Sequence, residues 1–238
     1  NIAAFKNQTI SNWNKDRTKD SYKGKHYINY WLGNDEEFYI ARSSRDLKRI
    51  DIVAVNVNGQ TRTILEERSN VYLDIKKPYF INNGNQFIHW SQRDGWGHFY
   101  LYNKNGGLVN QITKGEFHCD DLTRFNENTG TLFFRANGKE KNIDPYYSYY
   151  YSVSKNGGPI KLLTPGDFDH QVLASESSNY FIDNFSRVNT APVSNLYSSS
   201  GQLIMKLEET DLSNLFAAGY KFPEPFKVKA GDGITDLY

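Results

Sequence analysis

Five histidines (His26, His89, His98, His118 and His170), one cysteine (Cys119) and several runs of adjacent acids are the side chains through which this chain could do chemistry. The histidines are scattered, with none at a local spacing that gathers metal ligands, and a single thiol supplies neither a cysteine cluster nor an internal disulfide. No metal site and no cofactor is therefore expected. Cys119 reads as a small buried residue rather than a nucleophile. The acids Glu66-Glu67, Asp120-Asp121 and Glu208-Glu209 resemble catalytic pairs in one dimension only. Neighbours on a strand point to opposite faces and cannot share a proton, so they read as solvated strand or turn ends. The sequence contains no Gly-x-Ser-x-Gly elbow, phosphate-binding glycine loop, His-Glu-x-x-His or Cys-x-x-Cys, and no catalytic residue is assigned. The basic stretch Arg42 to Arg49 holds Asp46 within it and falls between two strand patterns, which marks an exposed loop rather than an anion site.

What must position such residues is a β-rich scaffold. Aromatics make up 15% of the 238 residues, with 17 Tyr and 15 Phe, and large flat side chains favour pleated surfaces. A formal charge of +1 gives no electrostatic footprint for nucleic acid. No apolar run is long enough for a membrane span, and no basic-then-apolar leader opens the sequence. The last residues, Ile234 to Tyr238, read as a strand cut off in progress, so a piece of a longer polypeptide is expected.

Four segments share one pattern of apolar strand, polar turn with Gly, and shorter strand: AVNVNGQTRTIL (54–65), LYNKNGGLVNQIT (101–113), YSVSKNGGPIKLLT (151–164) and LYSSSGQLIMKLE (196–208). Gly59, Gly107, Gly158 and Gly201 are spaced by 48, 51 and 43 residues, close to the period of roughly 40–50 of four-stranded propeller blades. A second strand precedes each glycine by about 20–25 residues, at Phe38 to Ile40, Phe87 to Trp90, Leu132 to Phe134 and Tyr180 to Ile182, within that blade period. A further one fits upstream at Phe117 to Phe125 and His170 to Ala174. Continuous aromatic runs such as Tyr146 to Val153 suit sheets buried on both faces. The sequence thus predicts an all-β fold, a partial β-propeller of about four four-stranded antiparallel blades.

Asp94-Gly95, Asn58-Gly59, Asn105-Gly106, Asn137-Gly138 and Asn156-Gly157 predict hairpin turns of type I′, with positive φ at both central residues. After the last blade, Leu212, Leu215 and Phe216 share a helical face, with Asp211 to cap the start and Gly219 to end it. Phe222-Pro-Glu-Pro-Phe226 then reads as an extended passage between domains. The expected division is a propeller fragment over 1–210, with a connector helix and the start of another domain over 211–238.

The stretch SQRDGWGHFYLYNKNGGLVNQITKG (91–115) resembles a blade of the dipeptidyl peptidase IV-like enzymes of the prolyl oligopeptidase family of serine peptidases. YFIDNFSRVNTAPVSNLYSSSG (180–201) is similar to the family's final blade, and PEPFKVKAGDGITDLY (223–238) to its approach to the catalytic domain. The resemblance runs from about Phe38 onward. It implies a parent enzyme that releases dipeptides from peptide amino termini, with an α/β-hydrolase domain carrying Ser, Asp and His beside a propeller that gates access. This chain would be the noncatalytic C-terminal half of that propeller and inactive alone. The implied partners are a peptide substrate and the hydrolase domain of the same polypeptide, and the implied location is periplasmic or secreted. Open propeller ends would also permit self-association. The family's aromatic wall of the binding cleft, counted back from Pro78-Tyr79-Phe80, falls on Tyr72 or Leu73. Here Tyr72-Leu73-Asp74 replaces the family's basic-aromatic-basic pattern, and blade packing is the competing role for both residues. The alternative to the enzyme fragment is a stand-alone binding or scaffold propeller with protein partners.

Overall fold

Apolar runs punctuated by Asn-Gly and Ser-Gly turns favour antiparallel strands, and a computed structural model describes residues 37–74 and 76–238 in those terms. His26 lies outside the described residues. The chain divides into two compact units, Asn1–Gln92 with Phe99–Gln111, and Arg93–His98 with Ile112–Tyr238.

In the first unit, β1 (Glu37–Ser43), β2 (Arg49–Asn56) and β3 (Thr61–Arg68) form a three-stranded antiparallel sheet among the described residues. A four-stranded sheet follows, in the order β4 (Tyr79–Ile81), β5 (Gln86–Ser91), β6 (His98–Asn103) and β7 (Leu108–Gln111). His98, the first residue of β6, belongs to the second unit. Strands β2, β5 and β6 are buried along nearly their whole length, as sheets packed on both faces require. Tyr39, Ile52, Ala54, Ile64 and Leu65 of the first blade interlock with Phe87, Tyr100 and Tyr102 of the second. The isoleucine, leucine and phenylalanine side chains among them, fully buried, contribute roughly 1.5–3 kcal/mol each.

The second unit repeats the plan. One sheet runs β11 (Lys161–Leu162), β10 (Ser148–Ser154), β9 (Thr131–Asn137), β8 (His118–Asn126), and the next β12 (Asp169–Ala174), β13 (Tyr180–Arg187), β14 (Thr190–Ser198), β15 (Leu203–Glu209). Phe133, Tyr150 and Leu163 pack against Ala174 and Phe181. The strand-two and strand-three aromatics stack alike in the second and fourth blades. Phe87 lies 5.1 Å from Tyr102 at 7°, and Phe181 lies 5.2 Å from Tyr197 at 11°. On the other face of the fourth blade, Leu173, Ile182, Leu196 and Met205 line up across the register. Leu173 is 71% exposed and Met205 52%, so this face presents an apolar row to solvent.

Helix α1 is a single short turn, Ser213–Ala217, with no buried residue. The Asp211 carboxylate accepts from the Ser213 amide at 2.9 Å, and Gly219, at φ +92°, donates to the Phe216 carbonyl. The chain closes on a small hairpin of β16 (Val228–Lys229) and β17 (Asp236–Leu237).

The turns correct the sequence reading in two ways. Asn58, Asn105, Asn137, Asn156 and Asp94 do not adopt positive φ; only the glycines after them do. In the blade hairpins the glycine amide reaches back three residues, from Gly59 to Asn56, Gly106 to Asn103, Gly157 to Ser154 and Gly201 to Ser198. Asn56 and Asn103 side chains accept further backbone amides across their turns, an Asx geometry that type I′ does not need. The equivalent glycines are therefore Gly59, Gly106, Gly157 and Gly201, one residue earlier in the two middle blades. Left-handed φ decides the register: values of +80°, +85°, +82° and +82° mark the same position four times.

Two of these glycines also touch the preceding blade. A Cβ on Gly106 would stand 1.7 Å from the Ile64 carbonyl oxygen, and one on Gly201 would meet Leu163 at 3.3 Å.

Candidate functional site

The β1–β2 turn is where the local sequence and its backbone disagree. Ser44 to Lys48 closes as the glycine turns do, with the Leu47 amide donating to the Ser44 carbonyl at 3.0 Å. Leu47 occupies the left-handed position at φ +57°, a region that costs an L-residue with a bulky side chain roughly 1–2 kcal/mol. The turn is held by polar bonds. Ser44 Oγ accepts from the Arg49 amide at 3.0 Å and donates to the Asp46 carboxylate, which also accepts from the Lys48 amide.

This turn carries the connector that leaves β3. The Ser69 amide donates to the Lys48 carbonyl at 2.9 Å, and the Leu73 amide to the Leu47 carbonyl at 2.8 Å. Between these anchors, the Val71 amide donates to Ser69 Oγ at 3.1 Å. The two residues at which the family resemblance places an aromatic wall go to opposite environments. Tyr72 is 62% exposed and Leu73 only 7%. Tyr72 thus lies at the surface and Leu73 beneath it.

Two bases of the stretch beside this connector, Arg42 and Arg49, are held in ion pairs. Arg42 and Arg49 both grip Asp51, at 2.7 and 2.8 Å, and Arg49 also reaches Glu66. Burial alone pushes the Asp51 carboxyl up, but the hydrogen bonds from Arg49 and Arg42 outweigh it and hold it below the usual carboxylate range.

The other candidate groups form structural joints. Glu67 accepts from Ser91 Oγ and lies 3.0 Å from His89 Nε2, so the carboxylate stands between serine and histidine rather than behind the histidine. His89 and Ser91 are each 1% exposed, which closes them to a substrate. This cluster joins β3 of the first blade to β5 of the second. His98 sits between Thr113 Oγ1 at 3.1 Å and the Gly115 carbonyl at 2.9 Å, with Cys119 Sγ at 3.7 Å; His98, Thr113 and Cys119 are in the core and Gly115 is at the surface. Cys119 is buried there and forms no disulfide. His118 is half-buried on β8.

His170 Nδ1 pairs with Asp183 Oδ2 at 2.8 Å across β12 and β13. Both are buried, and His170 Nε2 and Asp183 Oδ1 have no hydrogen-bond partner among the described residues. Tyr149, Phe168 and Phe185 rings surround the imidazole. Burial pushes the Tyr149 hydroxyl up to about 12, and it donates to the Gly166 carbonyl at 2.7 Å.

One pair of adjacent acids breaks the opposite-face expectation. Asp120 and Asp121 both accept from Arg135, at 3.0 and 2.6 Å. The register between β8 and β9 slips between Cys119 and Leu122, and that irregularity turns consecutive carboxylates to one side. Glu66 and Glu67 do diverge, toward Arg49 and Arg68 on one side and His89 on the other. Among the described residues, no group of three or more His, Cys, Asp and Glu side chains is placed to hold a metal, and no helix is long and apolar enough to cross a membrane.

The profile of a family described as the dipeptidyl peptidase IV (DPP IV) N-terminal region matches residues 1–192. The dipeptidyl peptidase 4 of Trichophyton rubrum is 24% identical over 221 residues, which cover 86% of this chain and 28% of that protein. The dipeptidyl peptidase 4 of Arthroderma otae is 23% identical over 217 residues. Among solved structures, dipeptidyl peptidase 4 of Porphyromonas gingivalis superposes with a TM-score of 0.71 at 22% identity, over 83% of this chain and 28% of that one. A putative dipeptidyl aminopeptidase IV from Bacteroides ovatus gives 0.71 at 23%, over 87% and 32%. The chain therefore spans under a third of the length of these relatives, and the likeness in fold is to their propeller blades.

Proposed function

Because the chain belongs to the family of dipeptidyl peptidase IV N-terminal regions, we propose that it is the noncatalytic propeller portion of a serine-type dipeptidyl peptidase. In this reading the blades gate and line the approach of a peptide to a hydrolase domain of the same polypeptide, which follows residues 211–238. The observation that carries the reading is the family match over residues 1–192, laid on blades with the same architecture as the relatives. Acyl transfer would run in the hydrolase domain through a histidine-activated serine. The propeller would supply selection by size and an apolar contact at Tyr72. A secreted or periplasmic location, suited to peptide scavenging, belongs to the same proposal.

Two structural details support this placement. In the first blade, the β1–β2 turn and the connector after β3 meet at one end, and Tyr72 emerges there. In the third blade, the counterpart β9–β10 loop receives the C-terminal tail. Tyr238 stands edge-on to Tyr146 at 6.3 Å, with Lys227 Nζ 4.1 Å from its ring centre. The apolar row on the fourth blade is a face that a further blade of the longer polypeptide would cover.

The test is cleavage of a Gly-Pro chromogenic amide. A gene product extended past Tyr238 through a Gly-x-Ser-x-Gly elbow is expected to release the chromophore, and the 238-residue chain alone is not. Cleavage by the chain alone, or an extension lacking a Ser, Asp and His set, overturns the reading.

A further inference from the structure

We propose that Leu47 is a positioning residue: its left-handed turn fixes the connector Ser69 to Asp74 so that Tyr72 stands out as an apolar wall for a peptide side chain. The inference rests on the peptide-binding reading above and adds to it the device that builds the wall.

Three observations carry it. First, Leu47 adopts φ +57° at the turn position where the blade hairpins place glycine. Strain of this kind persists only where the surroundings over-determine it, and it concentrates at sites that must hold a fixed shape. Second, the strained segment spends its carbonyls on the connector, not on its own hairpin. Leu47 and Lys48 accept from Leu73 and Ser69, which fastens both ends of a five-residue arch. Third, the arch presents apolar groups outward, since Val71 is 63% and Tyr72 62% exposed while Leu73 is buried. A right-handed Leu47 would swing its carbonyl away from the Leu73 amide and leave Tyr72 on a loose loop.

The side chain at position 47 and its backbone conformation can be separated. Leu47→Ile keeps the apolar bulk, but its β-branch resists the left-handed region; Leu47→Asn loses the bulk and tolerates that region. Hydrogen exchange on the 238-residue chain reads the clamp directly. Leu47→Ile should speed exchange at the Ser69 and Leu73 amides by roughly five- to tenfold relative to Leu47→Asn. In the full-length parent, Tyr72→Ala and Leu47→Ile should both raise KM for a dipeptide amide several-fold with little change in kcat, and the Leu47→Ile KM should exceed that of Leu47→Asn.

If Leu47→Asn loosens the amides as much as Leu47→Ile, the side chain and not the turn is responsible, and the inference fails. It fails equally if Leu47→Ile loosens them while KM for the parent stays put. A parent that cleaves no dipeptide amide refutes the functional reading instead, and the exchange comparison still decides whether Leu47 holds the connector.

Discussion

Replacing Gly106 by alanine should break the joint between the first two blades, and its cost can be worked from two separate terms. Gly106 has φ +85°, so any L-residue there pays roughly 1–2 kcal/mol for the left-handed backbone. The new Cβ would also lie 1.7 Å from the Ile64 carbonyl oxygen and 2.6 Å from its carbon. Both are backbone atoms in β3 that no rotamer change can move. Either that strand or the Asn103–Gly107 turn must shift by more than about 1 Å, and overpacking of that severity costs a further 1–3 kcal/mol or more. The sum, about 2–5 kcal/mol, is a large part of the 5–15 kcal/mol that holds a typical domain together. Gly138→Ala is the matched control, with φ +76° and nothing within 4 Å of its Cβ, so it pays the backbone term alone. Urea denaturation of the two variants, with hydrogen exchange at Ile64 and Leu65 to locate the damage, measures the difference. If Gly106→Ala falls within about 0.5 kcal/mol of Gly138→Ala, below the overpacking range, the turn does not pack against the neighbouring blade as described.

Two further outcomes follow from the buried charges. Asp183→Ala strands His170 in a ring-lined site and should cost about 2–4 kcal/mol, whereas His170→Leu with Asp183→Val, which removes both polar groups, should be less destabilising than the single change. Equilibrium unfolding of both variants makes the comparison, and a double variant worse than the single one would contradict it. Asp51 has a folded-state carboxyl below its ordinary 3.8, so its pairing stabilises fully above that value and is lost as pH falls through the folded one. Asp51→Asn should therefore be less stable than the parent chain near pH 6, with the gap closing as the pH drops below about 4. A gap that is constant with pH would mean the carboxylate charge plays no part.

The blades were legible because their strands are long aromatic runs with a turn signal at nearly constant spacing, and each of β1, β5, β9 and β13 contains the residues expected of it. What the sequence hid were matters of register. Doubled glycines at Gly106-Gly107 and Gly157-Gly158 offer two candidates for one left-handed position, and only backbone geometry selects the first. The convergence of Asp120 and Asp121 on Arg135 depends on a slipped pairing that no local residue type announces. His170 and Asp183 are 13 positions apart and meet only because β12 and β13 pair with Val172 opposite Asp183. Leu47 gave no signal at all, since leucine is among the last residues to be expected at positive φ. Tyr72 and Leu73 entered as a pair from a likeness, and burial alone separated them.

The corners between blades have a bearing on how such a chain lengthens. Thr113-Lys-Gly115-Glu-Phe117 and Thr164-Pro-Gly166-Asp-Phe168 make the same bend, with Gly115 at φ +134° and Gly166 at φ +131°, each meeting the phenylalanine two residues on. The bent glycine's carbonyl is satisfied by His98 in one case and Tyr149 in the other, each 17 residues upstream on the third strand of the blade being left. The second and third blades each therefore carry the group that completes their own exit. A segment from one corner to the next, 51 residues, thus includes the donor for its own exit, and the exchange of histidine for tyrosine leaves the equivalent carbonyl bonded.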